Sequence, residues 1–502
     1  MAGEDRCDAG VASASLREMC QRWSERTLKE VVLPKVRRSR ETLQQIMRIW
    51  RKQKRADLVF ATLEVLRKDG NIKVEAPVYT VGISTCADAK QWQRALKLLE
   101  AMQKAEIQAN CFSYNATISA CEKGAQWDQA LVLLESMGHM KVRRDVVSYN
   151  AAISACEKSG QWQQALILLE AMPQSQVRRD IISYNASISA CEKGGQWRQA
   201  LMVFHGMLQA QLQPDVISCS AAISACEKGG QWQQGFILFE SMPKAEIKPD
   251  VIFYSAAISA CEKGCAWQQG LMLFEAMSND NVQPDVFSYN AAISSCEKAG
   301  QWQQALRLIE FIARAEVQPT DCSFNAGISA CEKCGQWQQA LLLFESMLNT
   351  EVQADVISYN AAISACEKGG QWQQALMLFD AMPMAKVKPH VISYSAAISA
   401  CERAGQWWQA LAFFQAMPKA KVQPNDISYN AAISACVKGT QWEQALMLFE
   451  AMNKATVSAD VISYTAAISA CKRGGRWLHI LMLLESMAAM MLLDMCSCLD
   501  ES

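Results

Sequence analysis

The chain has 502 residues, 51% of them hydrophobic, and its 49 lysines and arginines are offset by 50 aspartates and glutamates. The net charge of −1 argues against a strongly basic protein that holds nucleic acid by bulk charge alone, although net charge hides how charges are distributed. No stretch of 18 apolar residues is present, so we expect no membrane span.

The first 40 residues lie outside any repeated pattern. They start acidic and turn basic, with acids at Glu4, Asp5 and Asp8 and bases at Arg37, Arg38 and Arg40. An organellar transit peptide is rich in Arg and Ser and poor in acids, and this segment meets that description only in part. We interpret residues 1–40 as an N-terminal extension that is either a targeting segment or disordered.

Residues 41–75 resemble a degenerate copy of the unit that follows. The segment Ala61–Leu66 imitates its second helix, and Ile72 falls where Ile107 falls in the next unit. Repeat arrays need atypical terminal units to cover their ends, so we predict a capping repeat here.

A tryptophan recurs every 35 residues from Trp92 to Trp477, which indicates a repeat array. With this tryptophan as position 17, residues 76–495 form twelve units, and 496–502 are a C-terminal tail. The units start at Ala76, Cys111, Val146, Ile181, Val216, Val251, Val286, Asp321, Val356, Val391, Asp426 and Val461. One unit cannot bury a core alone, so stacking of neighbours must supply it.

The unit 356–390 shows the internal plan. Its first 13 residues have apolar side chains at helical spacing, and Gly369–Gly370 ends that predicted helix. A second predicted helix starts at Trp372 with apolar residues at i, i+3, i+4 and i+7. Two short helices per unit predict an all-α solenoid of helix–turn–helix repeats, in which we expect the periodic tryptophans to be core residues. Trp23, Trp50 and Trp408 are out of register.

The titratable side chains indicate neither catalysis nor metal binding. Twelve of the 21 cysteines occupy position 11, where we interpret them as small buried hydrophobes in a reducing compartment. Cys496 and Cys498 are too isolated for a zinc site, and the four histidines form no catalytic motif. We expect no cofactor, no metal and no enzymatic activity.

The unit VISYNAAISACEKGGQWQQALMLFDAMPMAKVKPH, residues 356–390, resembles the pentatricopeptide repeat, and the resemblance extends over all twelve units. The tryptophan at position 17 departs from the family pattern, and we expect it to alter packing. Tetratricopeptide repeats, the nearest alternative, run at 34 residues. The resemblance implies a right-handed superhelical α-solenoid that binds single-stranded RNA, one nucleotide per repeat, through positions 5 and 35.

The base-reading residues that the resemblance implies pair position 5 with position 35 of each repeat. They are Thr80 with Asn110, Asn115 with Asp145, Asn150 with Asp180, Asn185 with Asp215, Ser220 with Asp250, Ser255 with Asp285, Asn290 with Thr320, Asn325 with Asp355, Asn360 with His390, Ser395 with Asn425, and Asn430 with Asp460. Position 5 is confined to Asn, Ser and Thr, which suggests a task, although recent duplication also explains it. Asp at position 35 is equally a natural N-cap.

The family's code assigns purines to Ser or Thr at position 5 and pyrimidines to Asn. An acceptor-only carboxylate at position 35 suits the ring N–H of uracil or guanine, and an amide suits adenine or cytosine. The implied RNA target is AUUUGGYUYAU, read 5′ to 3′, with the pyrimidines Y at the two atypical pairs. We do not expect Thr465 and Met495 to read a base.

Positions 2 and 13 flank the implied readers. Position 2 is usually Ile, Val or Phe, which either sandwich bases, as in the family, or pack between repeats. Position 13 is basic in eleven units and lies two i+4 steps from position 5, on about the same face. We therefore expect it to neutralise RNA phosphates, at Lys123, Lys158, Lys193, Lys228, Lys263, Lys298, Lys333, Lys368, Arg403, Lys438 and Arg473. Compensation of the helix dipole is the alternative. The neighbouring acid at position 12, as in Glu122, is expected on the outer surface.

Two functional hypotheses follow. The first is a monomeric sequence-specific single-stranded RNA-binding protein of a plastid or mitochondrion, acting in RNA processing, stability or translation, with RNA-processing proteins as recruited partners. The second is a protein-interaction scaffold of tetratricopeptide-like repeats whose lysine row holds an acidic partner. A pull-down that is sensitive to RNase favours the first hypothesis, and RNase-resistant protein partners favour the second.

Overall fold

The computed structural model describes residues 47–487 except 49, 54, 70–73, 242–247, 316, 351 and 456. Every regular element in this part of the chain is an α-helix, which confirms the all-α prediction. The N-terminal extension, the tail 496–502 and Met495 lie outside the described residues. The chain divides into two compact units, one up to Ala260 and one from Cys261.

Each repeat contributes a first and a second helix. The first helices are Ala76–Asp88, Cys111–Lys123, Val146–Lys158, Ile181–Lys193, Val216–Lys228, Val251–Lys263, Val286–Lys298, Asp321–Lys333, Val356–Lys368, Val391–Arg403, Asp426–Lys438 and Val461–Arg473. The second helices are Trp92–Lys104, Trp127–His139, Trp162–Gln174, Trp197–Gln209, Trp232–Ser241, Trp267–Asn279, Trp302–Arg314, Trp337–Asn349, Trp372–Met384, Trp407–Lys419 and Trp442–Lys454. Residues 477–487 are also helical.

The helix Ala56–Asp69 precedes the first repeat. It spans the predicted second helix of the degenerate copy, and Leu63 and Leu66 are buried in it. Trp50, which had no place in the 35-residue series, is fully buried. Ile72 lies outside the described residues.

The ends of each first helix are set by local chemistry, as Val356–Lys368 illustrates. The Asp355 side chain accepts a hydrogen bond from the Ser358 backbone N–H at 2.9 Å, which satisfies a donor that the helix leaves free. After Lys368 the chain turns through Gly370 at φ 72°, a left-handed conformation that favours glycine. Gln371 then donates its N–H back to the Cys366 carbonyl at 2.8 Å, so the second helix starts at once.

The core lies between the layer of first helices and the layer of second helices. A first helix packs against its own second helix and against the first helix of the next repeat, and second helices pack on the following first helix. Tyr359, Ile363 and Cys366 are buried in this way. Burial raises the pKa of the Cys366 thiol to about 11, so it is an inert apolar side chain, as predicted.

The periodic tryptophans differ from the core role expected of them. They are half-buried, and each of several indoles covers the residue after the first helix of the next repeat. A Cβ on Gly124 would come within 2.5 Å of Trp92 Cδ1, which shows how closely the ring approaches that backbone. Trp477 is 66% exposed. The tryptophans therefore pack over the junction between neighbouring repeats and shield it in part from solvent.

Candidate functional site

Positions 5 and 35 of a repeat, 30 residues apart in the chain, come together at the start of the next first helix. Asn115 Nδ2 donates to Asp145 Oδ1 at 3.0 Å. The same contact joins Asn150 to Asp180 at 3.1 Å, Asn185 to Asp215 at 3.0 Å, Asn325 to Asp355 at 3.3 Å and Asn430 to Asp460 at 3.1 Å. Asn290 donates to the Thr320 hydroxyl at 3.1 Å, and Ser395 donates to Asn425 Oδ1 at 3.3 Å.

Four of the other implied readers make the following contacts. The hydroxyls of Thr80 and Ser255 donate to carbonyls of their own helices, at 2.9 Å and 2.7 Å. Asp250 caps the following helix by accepting the Phe253 N–H at 2.8 Å. His390 Nδ1 lies 3.0 Å from the Ser393 hydroxyl. Direct bonds between positions 5 and 35 therefore join five Asn–Asp pairs and also the pairs Asn290–Thr320 and Ser395–Asn425.

The position 35 side chain is also an N-cap, so capping and pairing coexist at one carboxylate. Asp215 Oδ1 accepts the Ser218 N–H and the Ser218 hydroxyl, each at 2.8 Å. Burial raises the pKa of Asp215, but these bonds and the Asn185 amide outweigh it and hold the pKa below its ordinary value. The group is therefore an ionised, acceptor-only carboxylate near neutral pH.

The serine at position 3 of the next repeat completes this small network, a role that sequence reasoning missed. The hydroxyl of Ser148 lies 2.6 Å from Asn115 Oδ1 and 2.8 Å from Asp145 Oδ1, and its single proton is available to either oxygen. In contrast, the buried Oδ1 atoms of Asn150, Asn185, Asn325 and Asn360 have no hydrogen-bond partner among the described residues. The network thus orients the carboxylate, and at these four repeats the amide oxygen at position 5 has no partner.

The apolar side chains at position 2 are exposed, which contradicts the interpretation that they pack between repeats. The exposed fraction is 74% for Phe112, 62% for Ile357 and 76% for Phe287. The same is true of Val147, Ile182, Ile217, Ile252, Ile392, Ile427 and Ile462. Positions 2 and 5 are three residues apart on one helix and share a face. In the repeats that have Ile, Val or Phe at position 2, the polar pair is therefore bordered by apolar side chains that solvent reaches.

The basic residues at position 13 form an inter-repeat ladder with the acids at position 12 of the preceding repeat. Lys158 Nζ lies 2.7 Å from Glu122 Oε1, and Lys368 Nζ lies 2.9 Å from Glu332 Oε1. Equivalent pairs join Lys193 to Glu157, Lys228 to Glu192, Lys298 to Glu262, Lys333 to Glu297, Arg403 to Glu367 and Lys438 to Glu402. Glu122 therefore faces the lysine of the next repeat, and its side chain is only 22% exposed.

The ladder is asymmetric in exposure. The Lys368 side chain is 36% exposed and the Glu332 side chain 19%, so the ammonium lies nearer to solvent than its partner. Where position 12 is Val437, Arg473 donates to the Val437 backbone carbonyl instead. A fully exposed ion pair contributes about 0–1 kcal/mol, but the acids of the ladder are mostly buried, so opening a pair also leaves a partly desolvated carboxylate without its cation.

Within the described residues, no group of three or more His, Cys, Asp or Glu side chains is placed to hold a metal ion. None of the described helices is both long enough and apolar enough to span a membrane.

Four family profiles match the chain. The profile for the pentacotripeptide-repeat region of PRORP matches residues 312–497. Profiles for the PPR repeat family match 144–191 and 179–228, for the pentatricopeptide repeat domain 46–123 and 272–333, and for the PPR repeat 112–142 and 217–247. No curated protein sequence matches the chain.

The chain is also similar to solved structures, one of which, with a TM-score of 0.55, shares the fold. The crystal structure of the pentatricopeptide repeat protein PPR10 from maize is 17% identical, covers 95% of this chain and 78% of its own, and gives a TM-score of 0.55. PPR10 in complex with an 18-nt psaJ RNA element is 17% identical, with 89% and 79% covered and a TM-score of 0.38. The PPR domain of Arabidopsis thaliana protein-only RNase P 1 in complex with tRNA is 16% identical, with 36% and 95% covered and a TM-score of 0.33.

Proposed function

Because the chain belongs to the pentatricopeptide repeat family, we propose that it binds single-stranded RNA in a sequence-specific way, with one nucleotide at each repeat. The observation that carries the proposal is the Asn–Asp contact between positions 5 and 35, bordered by exposed apolar side chains at position 2. A polar pair that hydrogen-bonds a base edge, between apolar groups that cover its faces, is the arrangement that reading an unpaired base requires.

At the Asn–Asp repeats the preferred base is uracil. The carboxylate accepts from the ring N–H of the base, and the Asn amide that orients it is a positioning group. Asp180 illustrates this, because its oxygens lie 3.1 Å from Asn150 Nδ2 while the carboxylate caps the next helix. A cytosine would present a lone pair to the same carboxylate, which leaves both acceptors without a donor.

At the Ser and Thr repeats the preferred base is a purine. The Ser255 hydroxyl is shorter than an amide and is engaged with its own helix at Val251. A larger base therefore has more room beside the position 35 side chain. With Asp at position 35 this pair takes guanine, and with Asn, as at Asn425, it takes adenine.

The position 13 side chains supply the contacts to phosphate. Their ammonium groups lie on the exposed side of the ladder, and an RNA phosphate competes with the position 12 acid for the same charge. Binding is then salt-dependent, with a slope in log K against log [salt] of about −0.7 for each phosphate neutralised on a single strand.

The protein acts by occupying its site and not by catalysis. Occupancy blocks nucleases, keeps the RNA unfolded or brings a processing protein to it, in a plastid or mitochondrion. The target is AUUUGGYUYAU, and a monomer suffices because each repeat makes its own contact.

A direct test compares AUUUGGCUCAU with a shuffled RNA of the same composition, by fluorescence anisotropy at one salt concentration. We expect the implied RNA to bind at least tenfold more tightly, about 1.4 kcal/mol. The variant Asn115→Thr should shift the preference at the second nucleotide from U toward G. Equal binding of both RNAs by the wild-type chain contradicts the proposal.

A further inference from the structure

The second helices carry a row of apolar side chains that the RNA-binding proposal does not use. Position 22, five residues after the periodic tryptophan, is apolar in ten of the twelve repeats. In the unit from Cys261 onward the exposed fraction is 57% for Leu342, 71% for Met377 and 69% for Met447. At the intervening repeat position 22 is Ala412, and Trp408, four residues earlier on the same helix face, is 56% exposed.

This row is more than the scatter of apolar residues found on any protein surface. Single exposed apolar side chains are normal, but contiguous apolar patches mark interaction sites. The same helices also expose Leu348 at 52% and Met384 at 89%, so the apolar surface widens at the ends of the helices Trp337–Asn349 and Trp372–Met384. Four consecutive repeats therefore present large exposed apolar side chains on their second helices, three at position 22 and one, Trp408, at position 18.

Acidic side chains accompany the row. Position 25 is one turn further along the same face and holds Glu345, Asp380 and Glu450, all exposed. The helices Trp337–Asn349 and Trp372–Met384 contain no Lys, Arg or His. Such a face repels RNA phosphates and complements a partner that combines apolar and basic side chains.

We infer that the row formed by Leu342, Met377, Trp408 and Met447 is the docking surface for an amphipathic helix of a basic protein partner. Leu and Met side chains of the row contact the apolar stripe of that helix, and Met adapts to irregular shapes. Trp408 serves as the anchor, since exposed tryptophans are enriched among the residues that dominate binding energy. The position 25 acids pair with Lys or Arg on its flanks.

The docking surface is separate from the candidate RNA-binding surface. The proposed RNA contacts all lie on the first helices and at their N-terminal ends, whereas the row lies on the second helices. A variant on one surface should therefore leave binding at the other intact. Binding of the partner helix to the row does not depend on which RNA the first helices bind.

The test uses the full chain and a synthetic 18-residue helical peptide of Leu and Lys, with Leu at i, i+3, i+4 and i+7. Controls are a peptide with Glu in place of Lys and a shuffled Leu–Lys peptide without a helical apolar stripe. Fluorescence anisotropy of each labelled peptide gives its Kd. We expect the patterned Leu–Lys peptide to bind at least tenfold more tightly than either control.

The variants Met377→Lys and Trp408→Ala should each weaken that binding at least fivefold and leave RNA binding unchanged. The matched control Ile357→Lys, which alters an equally exposed side chain on a first helix, should leave peptide binding unchanged. Circular dichroism verifies that all three variants keep their helix content. The inference is overturned if the three peptides bind equally well. It is also overturned if Met377→Lys binds the patterned Leu–Lys peptide as tightly as wild type does. A second assay tests whether the chain sediments with phosphatidylcholine vesicles. If wild type sediments with the vesicles, Met377→Lys does not, and no peptide binds, the row is a membrane-binding face and the proposed protein partner is wrong.

Discussion

Replacing Asp215 by Asn and by Ala separates the two roles of the position 35 carboxylate. The Asp215 side chain caps the helix Val216–Lys228 through Ser218 at 2.8 Å and accepts the Asn185 amide at 3.0 Å. An Asn side chain retains the capping oxygen, as Asn425 does toward the Ser428 N–H at 3.0 Å. Alanine retains neither contact.

The expected magnitudes follow from these contacts. Asp215→Ala loses an N-cap, which costs about 1 kcal/mol, and leaves the Asn185 amide without its acceptor. Asp215→Asn loses only the favourable charge at the helix N-terminus, about 0.3–1 kcal/mol. For RNA, the carboxylate prefers U over C at the fourth nucleotide, and Asn reverses this because its amide donates to the cytosine ring nitrogen. A difference of about 1.4 kcal/mol gives a tenfold preference in each direction.

The assay pairs urea unfolding, followed by circular dichroism, with anisotropy on AUUUGGCUCAU and AUUCGGCUCAU. Wild type should favour the first RNA and Asp215→Asn the second, while Asp215→Ala should be the least stable and should discriminate poorly. If Asp215→Asn binds both RNAs as wild type does, position 35 is a cap only. If Asp215→Ala is as stable as wild type, the capping argument fails.

Three further predictions concern the ladder, the apolar border and pH. Glu332→Gln should release Lys368 to phosphate and tighten RNA binding severalfold at low salt, and an unchanged Kd would remove position 13 from the interface. Ile357→Ser should weaken RNA binding about fivefold. Its unfolding midpoint should equal that of wild type, because the Ile357 side chain is 62% exposed. A large loss of stability would show that position 2 packs between repeats after all. The hydrogen bonds of Asp145 hold its pKa below the ordinary 3.8, so its stabilising contribution is present above pH 3.8 and is lost as the pH falls through the lower folded value. The free energy of unfolding of wild type and Asp145→Asn is compared from urea midpoints at pH 7 and at successive pH values below 4. The difference between them should shrink in acid. A constant difference would show that the charge of the Asp145 carboxylate does not stabilise the fold.

The sequence predicted the helices well because the 35-residue tryptophan series set the register. The predicted first helix of the unit 356–390 coincides with the observed Val356–Lys368, which ends at the predicted glycines. The contact of positions 5 and 35 also agrees with the pairing that the resemblance implied. Period and turn residues are local properties, so one sequence is enough to read them.

The features that the sequence left open or did not predict depend on how repeats stack. For Ile357 both base contact and packing between repeats were open, and the stacking leaves position 2 in solvent. The Lys368–Glu332 ion pair joins residues 36 apart, and only the placement of neighbouring first helices reveals it. The tryptophans cover the edge between repeats and are half-buried for the same reason.

The most direct test of the central claim is a binding selection of the full chain on random-sequence RNA, sequenced after several rounds at fixed salt. The account predicts enrichment of AUUUGGYUYAU, with U at the Asn–Asp repeats and purines at the Ser and Thr repeats. Enrichment of no motif, or of one that ignores the identities at positions 5 and 35, would contradict it.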